Sequence, residues 1–268
     1  MRTRSRRFSG IELVPIIVAA LLVLAQIGYP LTSGAARDRV TVAVVLLSAG
    51  VALAHAALAR GLGYAGGFLV IVSGVGLVAE MVGVATGYPF GCYDYAVDRI
   101  GPAVGGVPLL VPLAWTGGLY PIWVVAGLLT TGRDAVTGRG VVAARIGLTA
   151  LGAVGWDLFL DPQMVADGQW RWCDTGSGLP GLAGIPWTNY AGWFAVGIVM
   201  AGLLTLWERR RVVRSASIAV PVAVFLWTWL GSALAHAAFL GLPASALYGA
   251  AGMGLLGIPL LRRLVRNR

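Results

Sequence analysis

One acid in an apolar segment is the first candidate for chemistry. Glu80 lies about two turns before the end of a long apolar run. A carboxylate in hydrocarbon costs a few kcal/mol or more, so such an acid is a functional candidate. Burial favours its neutral form, and a neutral carboxylic acid at pH 7 can act as a general acid. The structural alternative is an acid paired with an arginine or with helix backbone.

Two further acids lie in the stretch "GWDLFLDPQMVADGQWRW". Asp157 and Asp161 are four residues apart, so on a helix they share one face. Two such carboxyl groups can divide roles, one protonated and one ionised. Pro162 predicts that the helix ends there. Asp161 could therefore have a purely structural role as the residue that ends the helix. Asp157, deeper and beside Trp156, is the stronger candidate.

Aromatic residues gather in and beside the two loops that follow these acids. They are Tyr88, Phe90, Tyr93, Tyr95, Trp170, Trp172, Trp187, Tyr190 and Trp193. Aromatic belts at membrane interfaces are ordinary, but a belt would appear at both ends, and the other end has little beyond Phe8, Tyr64 and Trp207. The asymmetry favours an aromatic-lined pocket. Because aromatic faces stabilise cations, acids and aromatics together suit chemistry through a carbocation on an apolar molecule.

The composition indicates how these residues are carried. Of 268 residues, 58% are hydrophobic and 12% charged, with a mean hydropathy of +0.81. Continuous apolar runs of about 20 residues predict membrane helices and argue against a β-barrel. We therefore predict an all-α polytopic transmembrane bundle, with residues 1–268 as a single integral membrane domain. The eight predicted helices cover roughly residues 11–31, 40–60, 64–86, 107–131, 141–160, 188–207, 216–240 and 244–261.

The arginines predict the orientation of the bundle. With the N-terminus in the cytoplasm, sixteen of the 20 basic residues fall on the cytoplasmic side, a strong positive-inside bias. We expect a multi-pass cell-membrane protein with both termini cytoplasmic. The basic N-terminus could open a signal peptide, but its apolar run is too long for one. The net charge of +9 is explained by topology, so no nucleic-acid partner is expected.

The sequence has few residues or motifs that could bind a metal or another cofactor, and two cysteines. His55 and His236 each stand alone on an Ala-rich segment and are interpreted as packed histidines bonded to a neighbouring helix. The chain has no HExxH, CxxC, P-loop or GxGxxG motif, so no metal or other cofactor is expected. Cys92 and Cys173 lie in the two loops predicted to face the oxidising side. We predict a disulfide between them, with two unrelated small residues as the alternative.

Four stretches in a fixed order carry a resemblance. They are "EMVGVATGYPFGCYDY", "GPAVGGVPLLVPLAW", "GWDLFLDPQMVADGQWRW" and "GIPWTNYAGW", within residues 80–115 and 155–193. The chain resembles the membrane carotenoid 1',2'-hydratases, the bisanhydrobacterioruberin hydratase family of carotenoid biosynthesis proteins. The resemblance implies addition of water across the terminal isopropylidene double bond of an acyclic C40 or C50 carotenoid. The product would be a tertiary alcohol, formed without a redox cofactor.

Physical chemistry assigns roles within that reaction. Glu80 is expected to donate the proton, while Asp157, Asp161 and Asn189 hold water and stabilise the cation. The side chains expected to bind the substrate are Tyr93, Tyr95, Trp115, Trp156, Trp170, Trp172, Asn189 and Trp193. The expected partners are the lipid-soluble carotenoid and membrane lipid. A carotenoid cyclase or isomerase, a membrane transporter and a non-catalytic carotenoid-binding protein stay open as alternatives.

Overall fold

The fold is a bundle of membrane-length helices. The computed structural model describes residues 10–130, 138–209 and 216–266. Within them, eight helices are long and apolar enough to cross a membrane, which confirms the predicted all-α polytopic bundle. The helices are α1 (Gly10–Gly28), α2 (Gly34–Arg60), α3 (Leu62–Thr86), α4 (Leu110–Thr130), α5 (Arg139–Ala166), α6 (Trp187–Glu208), α7 (Ala219–Ala238) and α8 (Pro243–Arg266).

Small residues allow α5 and α8 to approach each other closely. At the crossing of α5 and α8, a Cβ atom added to Gly155 would lie 2.6 Å from the backbone of Gly252. Any side chain there would push the two helices apart. Close backbone approach at glycine is a common way for membrane helices to associate, and here it fixes α5, which carries both candidate aspartates.

The prediction that α5 ends at Pro162 is wrong, because the helix continues to Ala166. Proline cannot donate to the carbonyl four residues earlier, which here is that of Leu158. The Ser245 hydroxyl of α8 donates to this carbonyl instead, at 2.6 Å. Neighbouring helices commonly satisfy backbone groups that a proline leaves free. Asp161 is therefore a helix residue and not the end of one.

Two segments, residues 87–109 and 167–186, close one end of the bundle and are called the cover. They contain short antiparallel strands: β1 (Tyr93–Tyr95), β2 (Ala103–Val104), β3 (Val107–Pro108), β4 (Trp170–Trp172), β5 (Gly178–Leu179) and β6 (Leu182–Pro186). β1 pairs with β4, β2 with β3, and β5 with β6. The β1–β4 pair joins the two segments, so the loops after α3 and α5 form one unit.

Covalent and ionic links hold the cover in place. Cys92 and Cys173 form a disulfide with a Cα–Cα distance of 5.4 Å, which confirms the predicted pairing. Asp38 at the start of α2 accepts from Arg99 of the cover at 2.7 Å and from the Gln169 amide, also at 2.7 Å. The cover is thus bound to the helices as well as to itself.

The opposite end of the bundle is organised around Glu208. This acid pairs with Arg145 at 2.6 Å and with Arg60 at 3.4 Å, and it accepts from Tyr64 and Trp123. The nearby arginines therefore include structural ion-pair partners. Nine arginines that support the predicted orientation lie outside the described residues: Arg2, Arg4, Arg6, Arg7, Arg133, Arg210, Arg211, Arg214 and Arg268.

Both histidines are packed between helices, as predicted. His55 contacts the Tyr120 hydroxyl at 2.8 Å and the Ser217 carbonyl at 2.9 Å. His236 contacts the Ser245 hydroxyl at 2.8 Å. The His236 ring thereby orients the serine that supports α5 at its proline.

Candidate active site

The alternation of strands β1 and β4 directs their aromatic rings into the bundle. Tyr93 pairs with Trp172 and Tyr95 with Trp170, while Asp94 between the tyrosines is exposed. Successive strand residues point to opposite faces, so the rings share the face turned towards the helices. Their centroids are 5.6 Å apart in the first pair and 5.4 Å in the second.

Glu80 lies under this sheet, buried on α3 with 4% of its surface exposed. The Tyr93 hydroxyl donates a hydrogen bond to Glu80 Oε2. Burial, reinforced by the neighbouring acid, raises the pKa of Tyr93 above its usual range, so the hydroxyl keeps its proton. No arginine forms an ion pair with Glu80 among the described residues. The alternative of an arginine-paired acid therefore lacks support.

The two aspartates share an amide from α6. Asn189 Nδ2 donates to Asp157 Oδ2 at 3.2 Å and also to Asp161 Oδ2. Asp157 and Asn189 each expose 1% of their surface and Asp161 exposes 4%. The predicted shared face of the aspartates is confirmed. Because α5 continues past Pro162, Asp157 lies nine residues before the end of α5. Glu80 lies six residues before the end of α3.

All three acids and Asn189 line one cavity of about 20 Å³. A polar cavity of this size holds one water molecule when two to four polar partners surround it. The remaining walls are mostly aromatic: Phe90, Tyr93, Tyr95, Val111, Trp115, Leu160, Trp170, Trp172 and Trp193. Acids predicted from separate parts of the sequence are thus brought to one site.

Stacked rings form one wall of this cavity. Trp193 stacks on Trp115 with ring centroids 3.9 Å apart and on Phe90 at 4.7 Å. Trp156, predicted to bind substrate, does not line the cavity. It packs edge-on against Trp115 at 5.1 Å, so it supports the wall from behind.

Phe90 was not among the predicted site residues, and a glycine pair explains how it enters. A Cβ atom at Gly83 of α3 or at Gly192 of α6 would lie 2.7 Å from the Phe90 ring. The ring therefore fits between α3 and α6 because both helices have glycine there. In the sequence, these glycines are indistinguishable from the many that pack helices together.

Tyr190, one of the aromatic residues noted in the sequence, was not among those expected to bind the substrate. Its side chain is buried, with 7% of the residue exposed, and its hydroxyl has no hydrogen-bond partner among the described residues. Both aspartates act on it electrostatically. Its hydroxyl adds a potential hydrogen-bond donor beside the acids.

Across residues 10–130, 138–209 and 216–266, no group of three or more His, Cys, Asp and Glu residues could hold a metal ion.

Comparisons with known proteins point to one family. Residues 40–256 match the family described as carotenoid biosynthesis protein. Over 121 residues the chain is 36% identical to bisanhydrobacterioruberin hydratase of Haloarcula japonica. That stretch covers 45% of this chain and 38% of the relative, so the match spans well under half of the relative's length. No solved structure matches the chain.

Proposed function

The chain belongs to the carotenoid biosynthesis protein family, and we propose that it is a hydratase that adds water across the terminal 1',2' double bond of an acyclic carotenoid. The observation that carries the proposal is the meeting of three acids in one aromatic-walled cavity with room for one water. The name of the Haloarcula relative supports the same reaction class. The substrate class follows from the family and from the apolar surroundings of the site.

The first step is protonation of the alkene. Glu80 transfers its proton to the less substituted carbon of the double bond, and the π electrons form the new C–H bond. A tertiary cation is left on the other carbon, and Glu80 becomes a carboxylate. The hydrogen bond from Tyr93 stabilises that carboxylate, because hydrogen bonds to charged acceptors are stronger than neutral ones.

The cation needs stabilisation in a site without bulk water. The rings of Trp170 and Trp172 lie in the cavity wall, and an aromatic face attracts a cation by about 0.5–2 kcal/mol. A carboxylate from the aspartate pair also stabilises the positive charge of the cation. It acts strongly because its position is fixed before the reaction starts. These groups lower the barrier to forming the cation.

Capture by water completes the reaction. Asp157, Asp161 and Asn189 hold one water against the cationic carbon, and its oxygen forms the new C–O bond. An aspartate carboxylate accepts the proton that the water loses, and transfer of this proton to the Glu80 carboxylate restores the acid for the next cycle. The net change is addition of one water, with no redox partner. A water held in place also prevents the cation from losing a proton and returning to alkene.

A pigment assay tests the proposal. We expect expression of the gene in a host that accumulates lycopene to convert this acyclic C40 pigment into its tertiary alcohol. Product mass should increase by one water for each reacted end. A cyclised or isomerised pigment of unchanged mass would establish the rival chemistry. Unaltered lycopene bound to the purified protein would instead support a carotenoid-binding role.

A further inference from the structure

A second and much larger cavity lies beside the acids. Its volume is about 910 Å³, and apolar side chains from α1, α2, α4, α5 and α7 form most of its wall. Along α7 its lining runs from Ala223 to His236, a distance of about 20 Å at the rise of an α-helix. The cavity is therefore long and follows the helix axis. Such a shape fits an extended hydrocarbon better than a compact ligand.

The large cavity adjoins the acid cavity. Val111, Leu160 and Trp170 line both spaces. These three side chains are the partition between a place for a hydrocarbon chain and a place for one water. Trp170 lines the acid cavity together with Asp161. A chain end resting on the partition would therefore lie next to the carboxyl groups.

The large cavity opens sideways, between α1 and α7. Several of its lining residues are also exposed on the bundle surface, including Ile27 (48%), Leu230 (52%) and Leu234 (62%). Both helices are long and apolar enough to cross a membrane, so this opening faces the acyl chains. The Trp227 indole donates to the Gln26 side chain at 2.8 Å, which ties α1 to α7 along the cavity wall.

We propose that this cavity is the binding site for the polyene chain of the substrate. The chain enters from the membrane between α1 and α7 and lies along α7, and its terminal double bond rests against Val111, Leu160 and Trp170. The proposal builds on the hydratase function proposed above. It assigns chain recognition to residues away from the acids, including Ala114 on α4 and Ala235 on α7. The competing occupant is the acyl chain of a membrane phospholipid.

Matched variants of α7 test the proposal. Ala235 is half-buried and lines the cavity, whereas Ala237 is exposed and does not. Both are changed to Trp in a Glu80→Gln background, in which we expect no turnover. Purified protein is mixed with lycopene, and bound pigment is measured by its visible absorbance after gel filtration. We expect Ala235→Trp to reduce bound lycopene at least tenfold and Ala237→Trp to leave it unchanged.

A second variant and a lipid measurement keep the outcomes distinct. Ala114→Phe narrows the cavity from α4 and should also reduce lycopene binding, so the result does not depend on Ala235→Trp folding. Normal lycopene binding by a folded, monodisperse Ala235→Trp or Ala114→Phe variant would overturn the proposal. So would unchanged lycopene binding accompanied by loss of co-purifying phospholipid. If the variants behave as expected but wild-type protein does not hydrate lycopene, the cavity stands and the proposed reaction fails.

Discussion

At the scale of single residues, the proton assigned to Glu80 can be removed with little change in shape. Glu80→Gln keeps the side-chain size and can still hydrogen-bond Tyr93, but it has no transferable proton. General acid catalysis typically contributes about 10²- to 10⁴-fold, so we expect hydroxylated carotenoid to fall by about that factor. Pigment analysis by liquid chromatography measures the loss. Normal turnover by Glu80→Gln would move the proton donor to Asp157.

The role of the cavity aspartates can be tested against an aspartate on the cover. Asp157→Asn removes a carboxyl group bound by Asn189 and should abolish most hydration. Asp174 is exposed, and its carboxylate bonds only local groups among the described residues, so Asp174→Asn should retain activity. Equal activity of the two variants would remove Asp157 from the mechanism. Asp167, also on the cover, is unsuitable as a control because it pairs with Arg37 at 2.6 Å.

At the scale of elements, the continuation of α5 past its proline depends on one hydroxyl. Ser245→Ala would leave the Leu158 carbonyl without its donor from α8. An unsatisfied buried polar group costs about 1–3 kcal/mol, so thermal unfolding should occur at a lower temperature. Ser33→Ala is the control, because Ser33 is exposed and makes no side-chain capping bond. Equal unfolding temperatures would show that the helix does not need Ser245.

The cover is an element with its own stabilising bond. The disulfide closes a loop across a sequence separation of 81 residues, and removing such a bond typically costs about 2–4 kcal/mol. We expect Cys92→Ser combined with Cys173→Ser to unfold at lower temperature and to lose activity on heating before the helices unfold. Helical circular dichroism, followed together with hydration activity, separates the two events. Loss of activity and of helical signal at the same temperature would mean that the cover and the bundle unfold together.

At the scale of the whole molecule, the orientation in the membrane is a prediction from charge. The arginine distribution places the cover on the side opposite the cytoplasm, and this is also the oxidising side on which a disulfide persists. Reporter fusions after Thr137, which lies outside the described residues, and after Ser177 should be cytoplasmic and external, respectively. The same location for both would contradict the proposed topology.

The sequence by itself determined the helices and the acids. Long apolar runs are sufficient to place eight membrane helices, because in hydrocarbon the backbone must satisfy its own hydrogen bonds. An acid such as Glu80 is conspicuous in such a run for the same reason: burying it is costly. The four-residue spacing of Asp157 and Asp161 gave their common face directly.

Only the tertiary structure decided what those residues meet. The hydroxyl that supports α5 at Pro162 lies 87 residues away from Leu158 in the chain, and local patterns carry no signal for such a partner. The displacement of Trp156 behind Trp115 depends on how helices pack, as does the insertion of Phe90 between two glycines. The long cavity along α7 is made of ordinary apolar residues from five helices. Hydropathy cannot distinguish a residue that faces a cavity from one that faces lipid, because both surroundings are apolar.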